Sequence, residues 1–223
     1  MKRPKTSVIY DLDGTIADTE RFHLEAWAVT AEKYSLLIPP SDIHLSSLGT
    51  STLSTLRVLF PDLEESLREE IASFKFATLT SLIENSKVEL MPGFYETWKS
   101  LPALGLNIGI CTAARAANVL ALEKSGGQIG EILTSLGGKI VSKEMCEKGK
   151  PCPDPLLLAI KLAGAKRTEE VVYVGDAPAD RECARRAGVE YVHFGTVTHS
   201  HSSSSPVIQD HRELLGILEK SYQ

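Results

Sequence analysis

A doubly wound, parallel α/β sheet, interrupted after its first strand by a small all-helical domain, is the fold this sequence predicts. Three observations carry the prediction. Short apolar runs alternate with helical patterns, as parallel strands joined by crossover helices require. Roughly ninety residues without a strand pattern separate the first two runs, against about a dozen for a minimal crossover. Acidic, hydroxyl or lysine residues follow the runs, where open α/β sheets bind their ligands.

The first run is Ser7–Tyr10, closed by Asp11. Residues 106–111, 171–174 and 189–194 are the other clear strands, and 139–141 is a weaker one. Such continuous apolar runs suit strands buried on both faces. Helical patterns fall near 93–101, 114–124, 154–163, 177–187 and 209–220. Within the long interruption, 19–34 places Phe22, Ala26 and Val29 on one helical face, with Trp27, Ala31 and Tyr34 beside them. Residues 50–60 form a second helical candidate. Asp62-Leu63-Glu64-Glu65 reads as a capping box opening a third, which runs to about Ile83. The expected division is a catalytic core of 1–16 and 92–223, with 17–91 as a helical cap. Pro92-Gly93 marks the return to the sheet.

Bulk properties exclude several classes of function. The 223 residues are 43% hydrophobic and 24% charged, enough for one large domain or a domain with an insert. A net charge of −5 offers no electrostatic footprint for nucleic acid or an anionic membrane. No apolar run approaches the roughly 18 residues of a membrane span or forms a signal peptide, so a cytoplasmic location is expected. Cys111, Cys146, Cys152 and Cys183 contain no C-x-x-C pair and read as reduced thiols. His199 and His201, followed by Ser202 to Ser205, read as a solvated low-complexity loop rather than a metal site.

The chemistry gathers at one sheet edge. Asp11 and Asp13 follow the first strand, Thr112 the second, and Asp176 and Asp180 the third major run; Lys150 lies in the loop Gly149-Lys150-Pro151-Cys152-Pro153. Clustered carboxylates repel unless a cation sits among them. Oxygen-only ligands suit a hard ion, and few carboxylates beside a phosphate suit Mg²⁺. Thr112 and the amides of the following helix start can donate to phosphoryl oxygens. One aspartate can then serve as nucleophile and another as acid and base. Taken singly, each motif has a plain reading: Asp-x-Asp-Gly as a turn, Thr112 as a helix cap, Lys150 as a surface lysine beside Lys148.

Together and in order, Asp11-Leu12-Asp13-Gly14-Thr15, Thr112, Lys150 before Pro-x-Pro, and Gly175-Asp176-Ala177-Pro178-Ala179-Asp180 resemble the haloacid dehalogenase superfamily in its phosphatase branch. The insert resembles the helical cap of the phosphoglycolate phosphatase and β-phosphoglucomutase group. The resemblance implies a Rossmann-like core and an Mg²⁺-dependent phosphatase acting on a small phosphorylated metabolite. It implies Asp11 as the residue phosphorylated, and Asp13 as acid and base that also binds Mg²⁺ through its carbonyl. Asp176 would be a metal ligand, with Asp180 a ligand or close behind one. Thr112 and Lys150 would hold the phosphoryl group.

Substrate contacts are expected from Glu20 and His23, which share a face of the first insert helix, from the Ala113 amide and from Arg115. His23 stands where β-phosphoglucomutases keep an acid–base histidine. Thr52, in Leu48-Gly49-Thr50-Ser51-Thr52, stands where that subgroup has an arginine for a second phosphate, which favours hydrolysis over a mutase. Asp13 disfavours dehalogenation. The alternatives are a phosphosugar mutase and a non-catalytic phosphate-binding protein. A monomer is expected to suffice.

Overall fold

A computed structural model describes residues 4–38, 51–196 and 205–219. The segment Leu48-Gly49-Thr50 and the histidines at 199 and 201 lie outside them. The sheet is parallel throughout, in the order β3-β2-β1-β4-β5-β6. Its strands are β1 (Ser7–Tyr10), β2 (Asn107–Cys111), β3 (Ile140–Val141), β4 (Val171–Gly175), β5 (Glu190–Phe194) and β6 (Val207–Ile208). The helices are α1 (Glu20–Tyr34), α2 (Thr52–Leu59), α3 (Glu65–Glu84), α4 (Phe94–Ser100), α5 (Ala116–Lys124), α6 (Gly127–Leu136), α7 (Asp154–Leu162), α8 (Pro178–Ala187) and α9 (Glu213–Glu219).

The continuous apolar runs are explained by burial on both faces. Val8, Tyr10, Ile108, Ile110, Val172 and Val174 pack on one side, with Phe94, Leu122, Ile132 and Leu214 of the helices. Ile9, Cys111, Val141, Val171 and Tyr173 pack on the other, with Leu156, Ile160 and Cys183. This period-two division of each strand makes the doubly wound sandwich. Strand β1 sits centrally between β2 and β4, and the winding direction reverses there. The crevice of such a sheet opens at that reversal.

Helices α1 to α3 fill the interruption. Residues leaving β1 pair with those returning: Ala17 bridges Leu90 in antiparallel fashion, and Met91 N–H donates to the Ile16 carbonyl at 2.8 Å. The insert has an apolar cluster of its own, Trp27, Leu56, Ile71 and Ala72. Leu79 and Ile83, farther along α3, join Phe22 and Ala26 in the main core instead.

Several expectations need correction. The buried stripe of α1 is Phe22, Ala26, Trp27 and Thr30, while Val29 is exposed. There is no capping box at Asp62: α3 starts at Glu65, its N-cap Glu64 makes no side-chain cap, and Glu65 pairs with Arg57 and Arg68. Helix α6 and strand β6 were not expected. Gly126, Gly127 and Gly130 mask α6, although Ile129, Ile132, Leu133 and Leu136 bury one face of it. Strand β6 is two residues long and shows no periodicity.

Candidate active site

The first strand delivers Asp11 to the crevice, where its amide continues the sheet by donating to the Val174 carbonyl at 2.9 Å. The chain then turns sharply. Gly14 has φ +76°, and a Cβ there would lie 2.5 Å from the Asp176 carboxylate. Only glycine lets this turn approach β4 so closely. Thr15 completes the contact by donating its hydroxyl to Asp176 Oδ1 at 2.7 Å. His211, buried behind the turn, lies 2.7 Å from the Thr15 carbonyl through Nε2.

Lys150 is the hub. Its ammonium is buried and donates to Asp11 Oδ1 at 2.7 Å and Asp180 Oδ1 at 2.6 Å. It also reaches the Tyr173 hydroxyl at 3.2 Å. Lys148 is exposed, so geometry separates the two lysines. Asp180 is fully buried, and both its oxygens are used: Oδ1 by Lys150 and Tyr173, Oδ2 by the Ala177 amide at 3.1 Å. Burial outweighs every other influence on Asp11, and with the charge of Asp180 it pushes that carboxyl well up despite Lys150. Burial and Asp180 likewise push Asp176 to about 7. Lys150 is held charged by Asp11 and Asp180, against its own burial.

Carboxylate oxygens of Asp11, Asp176 and Asp180 lie within 4.8 Å of one another. An oxygen-only cluster with more negative charge than one lysine can balance fits a hard divalent cation. Asp180 already spends both oxygens, which leaves Asp11 and Asp176 as the side chains freer to bind one. The Asp13 side chain turns the other way, toward the insert, so any contribution of Asp13 to that ion would come from its backbone.

Asp13 Oδ1 accepts from the Thr19 hydroxyl at 2.7 Å and lies 3.7 Å from His23 Nε2. His23 Nδ1 sits 3.1 Å from the Lys75 ammonium. A lysine can only donate, so Nδ1 accepts and Nε2 carries the proton that faces Asp13. Burial alone would raise Asp13, but the His23 and Thr19 hydrogen bonds win and hold it below its usual range. Burial, then Lys75, holds His23 low and neutral. Lys75 is buried against α1, 5.6 Å from the Trp27 ring, and burial lowers it to about 8.

A charge so placed costs stability. Between about pH 8 and the ordinary lysine value the unfolded chain holds the proton that the folded chain gives up, so stability climbs with pH there. Below pH 8 the penalty is complete. Lys75→Met is therefore expected to stabilise the protein at pH 7 by on the order of 1–2 kcal/mol, a gain that shrinks as pH rises past 8. It should also slow turnover about tenfold by freeing His23. Calorimetric melting of both proteins at two pH values, beside a rate assay, checks this.

A cavity of about 400 Å³ joins these groups. Asp11, Asp13, Thr112, Ala113, Arg115 and His23 line it, so most expected substrate contacts meet there. Thr112 also accepts from the Ala114 amide at 2.9 Å. Two expected contacts lie outside the lining: Lys150 is buried behind Asp11, and Glu20 lies on the exposed side of the first turn of α1. Spacing of i and i+3 brings its charge near His23 without bringing it into the cavity. Thr52 also lines the cavity. Sequence reasoning missed Lys75, Tyr173 and Thr15. Lys75 had a legible signal, since it interrupts the buried i, i+4 ridge of Ile71, Leu79 and Ile83.

A family model for haloacid dehalogenase-like hydrolases matches residues 8–194. The chain belongs to this family. Among its curated relatives are a pyrophosphatase PpaX of Halalkalibacterium halodurans, 28% identical, and a phosphorylated carbohydrates phosphatase of Thermotoga maritima, 24% identical. The first alignment covers 82% of this chain and 80% of the relative, the second 91% and 90%. The same fold occurs in a CbbY structure from Rhodobacter sphaeroides solved with phosphate, at TM-score 0.83 and 19% identity, covering 96% of this chain and 99% of that one. Among the described residues of this family member, no helix is long and apolar enough to cross a membrane.

Proposed function

We propose that this hydrolase is an Mg²⁺-dependent phosphatase that cleaves a small phosphorylated metabolite through an aspartyl-phosphate on Asp11. The observation that carries the reading is Lys150, buried between Asp11 and Asp180 behind the cavity, with Asp11 and Asp13 on the cavity wall. Relatives named as phosphatases and pyrophosphatases support phosphoryl hydrolysis. The small cavity under α1 and α3 favours small leaving groups, and residues 17–91 act in this reading as the cap.

Each residue then has a task. An Asp11 oxygen forms a bond to phosphorus as the ester P–O bond breaks. Lys150 holds Oδ1 of that carboxylate, and Asp180 with Tyr173 holds Lys150. Thr112 and the Ala113 amide bind phosphoryl oxygens. Asp13 protonates the leaving oxygen, then takes a proton from the water that attacks phosphorus, restoring Asp11 and releasing phosphate. Asp13 rests ionised, so it must gain a proton as the substrate binds; the incoming phosphate dianion raises its pKa in the needed direction. Asp11, Asp176 and the Asp13 carbonyl, beside Asp180, would hold Mg²⁺, whose positive charge would let the aspartates and the phosphate approach one another.

A phosphate-release screen over small phosphoesters tests the reading. Release should require Mg²⁺ and stop with EDTA. At a hundredfold excess over its dissociation constant, Mg²⁺ should also raise the melting temperature by about 5–10 °C. Release unaffected by EDTA would contradict the metal assignment. A mutase is the second reading, favoured by His23 beside Asp13 and opposed by the uncharged Thr52. Interconversion of sugar phosphates without net phosphate release would establish it.

A further inference from the structure

Both linkers between the sheet and the insert pass one buried side chain that the proposed chemistry does not use. His211 stands just before α9 and is fully buried. Its amide donates to the Pro92 carbonyl at 3.0 Å, where the chain returns from the insert. Its Nε2 lies 2.7 Å from the Thr15 carbonyl, where the chain leaves for the insert. The return turn is shaped for this neighbour. Gly93 has φ +71°, and a Cβ there would overlap the Asp210 carboxylate.

A carbonyl only accepts, so Nε2 carries the proton. Burial pushes the ring down to about 4, which keeps it neutral at pH 7. One proton on Nε2 leaves a bare lone pair on Nδ1, and Nδ1 has no hydrogen-bond partner among the described residues. The ring stacks on Phe194 with centroids 4.3 Å apart, and Tyr10 and Phe94 meet it edge to face. In that aromatic surround an unpaired nitrogen is a cost. Phenylalanine would fill the same space without it. What phenylalanine could not supply is the donor to Thr15.

The Thr15 carbonyl belongs to the turn that carries Asp13, and the Thr15 hydroxyl donates to Asp176 Oδ1 at 2.7 Å. Holding the carbonyl fixes the residue, and with it the hydroxyl that orients Asp176. We propose that His211 is a positioning residue for the reaction: its Nε2–H seats the turn 13–15 against β4 and, through Thr15, aims Asp176. The consequence for metal binding rests on the phosphatase reading above; the seating of the turn does not.

Two substitutions separate donation from packing. His211→Phe keeps a ring and loses the donor; His211→Gln loses the ring and keeps an amide N–H. Hydrogen exchange read by mass spectrometry in EDTA reports on the turn, where the Gly14 amide donates to the Ala17 carbonyl and the Ile16 and Ala17 amides to the Leu12 carbonyl, each at 2.9 Å. Peptides spanning 12–17 should exchange about tenfold faster in His211→Phe, with those of α7 and α8 unchanged. His211→Gln should restore most of that protection even where it melts lower. Titration calorimetry should give an Mg²⁺ affinity about tenfold weaker in His211→Phe and close to wild type in His211→Gln. Wild-type exchange in His211→Phe, or exchange that follows the melting temperature instead of the donor, overturns the assignment. So does an unchanged Mg²⁺ affinity beside a loosened turn. If the wild-type protein binds no Mg²⁺, the metal assignment above fails, and the exchange comparison alone decides the role of His211.

Discussion

Asp11→Asn should lower phosphate release by about 10⁴-fold or more, and it should leave the metal-free protein at least as stable as wild type. The two halves of this result come from the same geometry. Asparagine keeps the shape but supplies no carboxylate to attack phosphorus. Asp11 is buried, and burial together with Asp180 works against its charge. Removing the charge relieves that conflict. Lys150 keeps Asp180 at 2.6 Å and Tyr173 at 3.2 Å, so no buried cation is stranded. Rate assays and melting in EDTA check both halves. A clear loss of stability would mean that the Lys150 pairing, rather than the charge conflict, dominates at this position.

Lys150→Met should fail in the opposite way, losing both activity and stability. The methionine fills the space of the stem but leaves Asp11, Asp180 and the Tyr173 hydroxyl without their shared donor. Stranding buried charges costs about 3–5 kcal/mol, or roughly a 10 °C fall in melting temperature for a chain of this size. Phosphate release should drop to background, because Asp11 loses the group that orients it. Lys148→Met, at an exposed position two residues away, should change neither quantity. Equal effects from the two substitutions would show that the burial of Lys150 is not what matters.

The contrast shows what was readable in the chain and what was not. Asp11, Thr112, Asp176 and Asp180 were legible because each stands directly after a strand or opens the following helix, and the strands are continuous apolar runs. The central place of β1 follows from the same runs. Strand-end residues converge by topology alone. Lys75 and Lys143 were not legible as cavity residues, because their placement depends on how α3 and the loop after β3 pack around the cavity. Lys75 comes from an insert helix more than sixty residues from Asp11 in sequence, and only packing against Trp27 and His23 brings it in. Glu20 lies outside the cavity lining for a related reason: sharing a helical face with His23 says nothing about which turn the cavity reaches. Helix α6 was hidden by glycines whose cost to a helix is overridden by burying Ile129, Ile132 and Leu133.

The proposed hydrolysis depends most on a covalent bond between Asp11 and phosphorus. Rapid acid quenching during turnover, borohydride reduction and peptide mass analysis tests it directly, because reduction of an aspartyl-phosphate leaves homoserine. Homoserine at position 11 in wild type, and none in Asp11→Asn, is the predicted result. Homoserine at another aspartate, or phosphate released with inversion at phosphorus and no adduct on the chain, would contradict it.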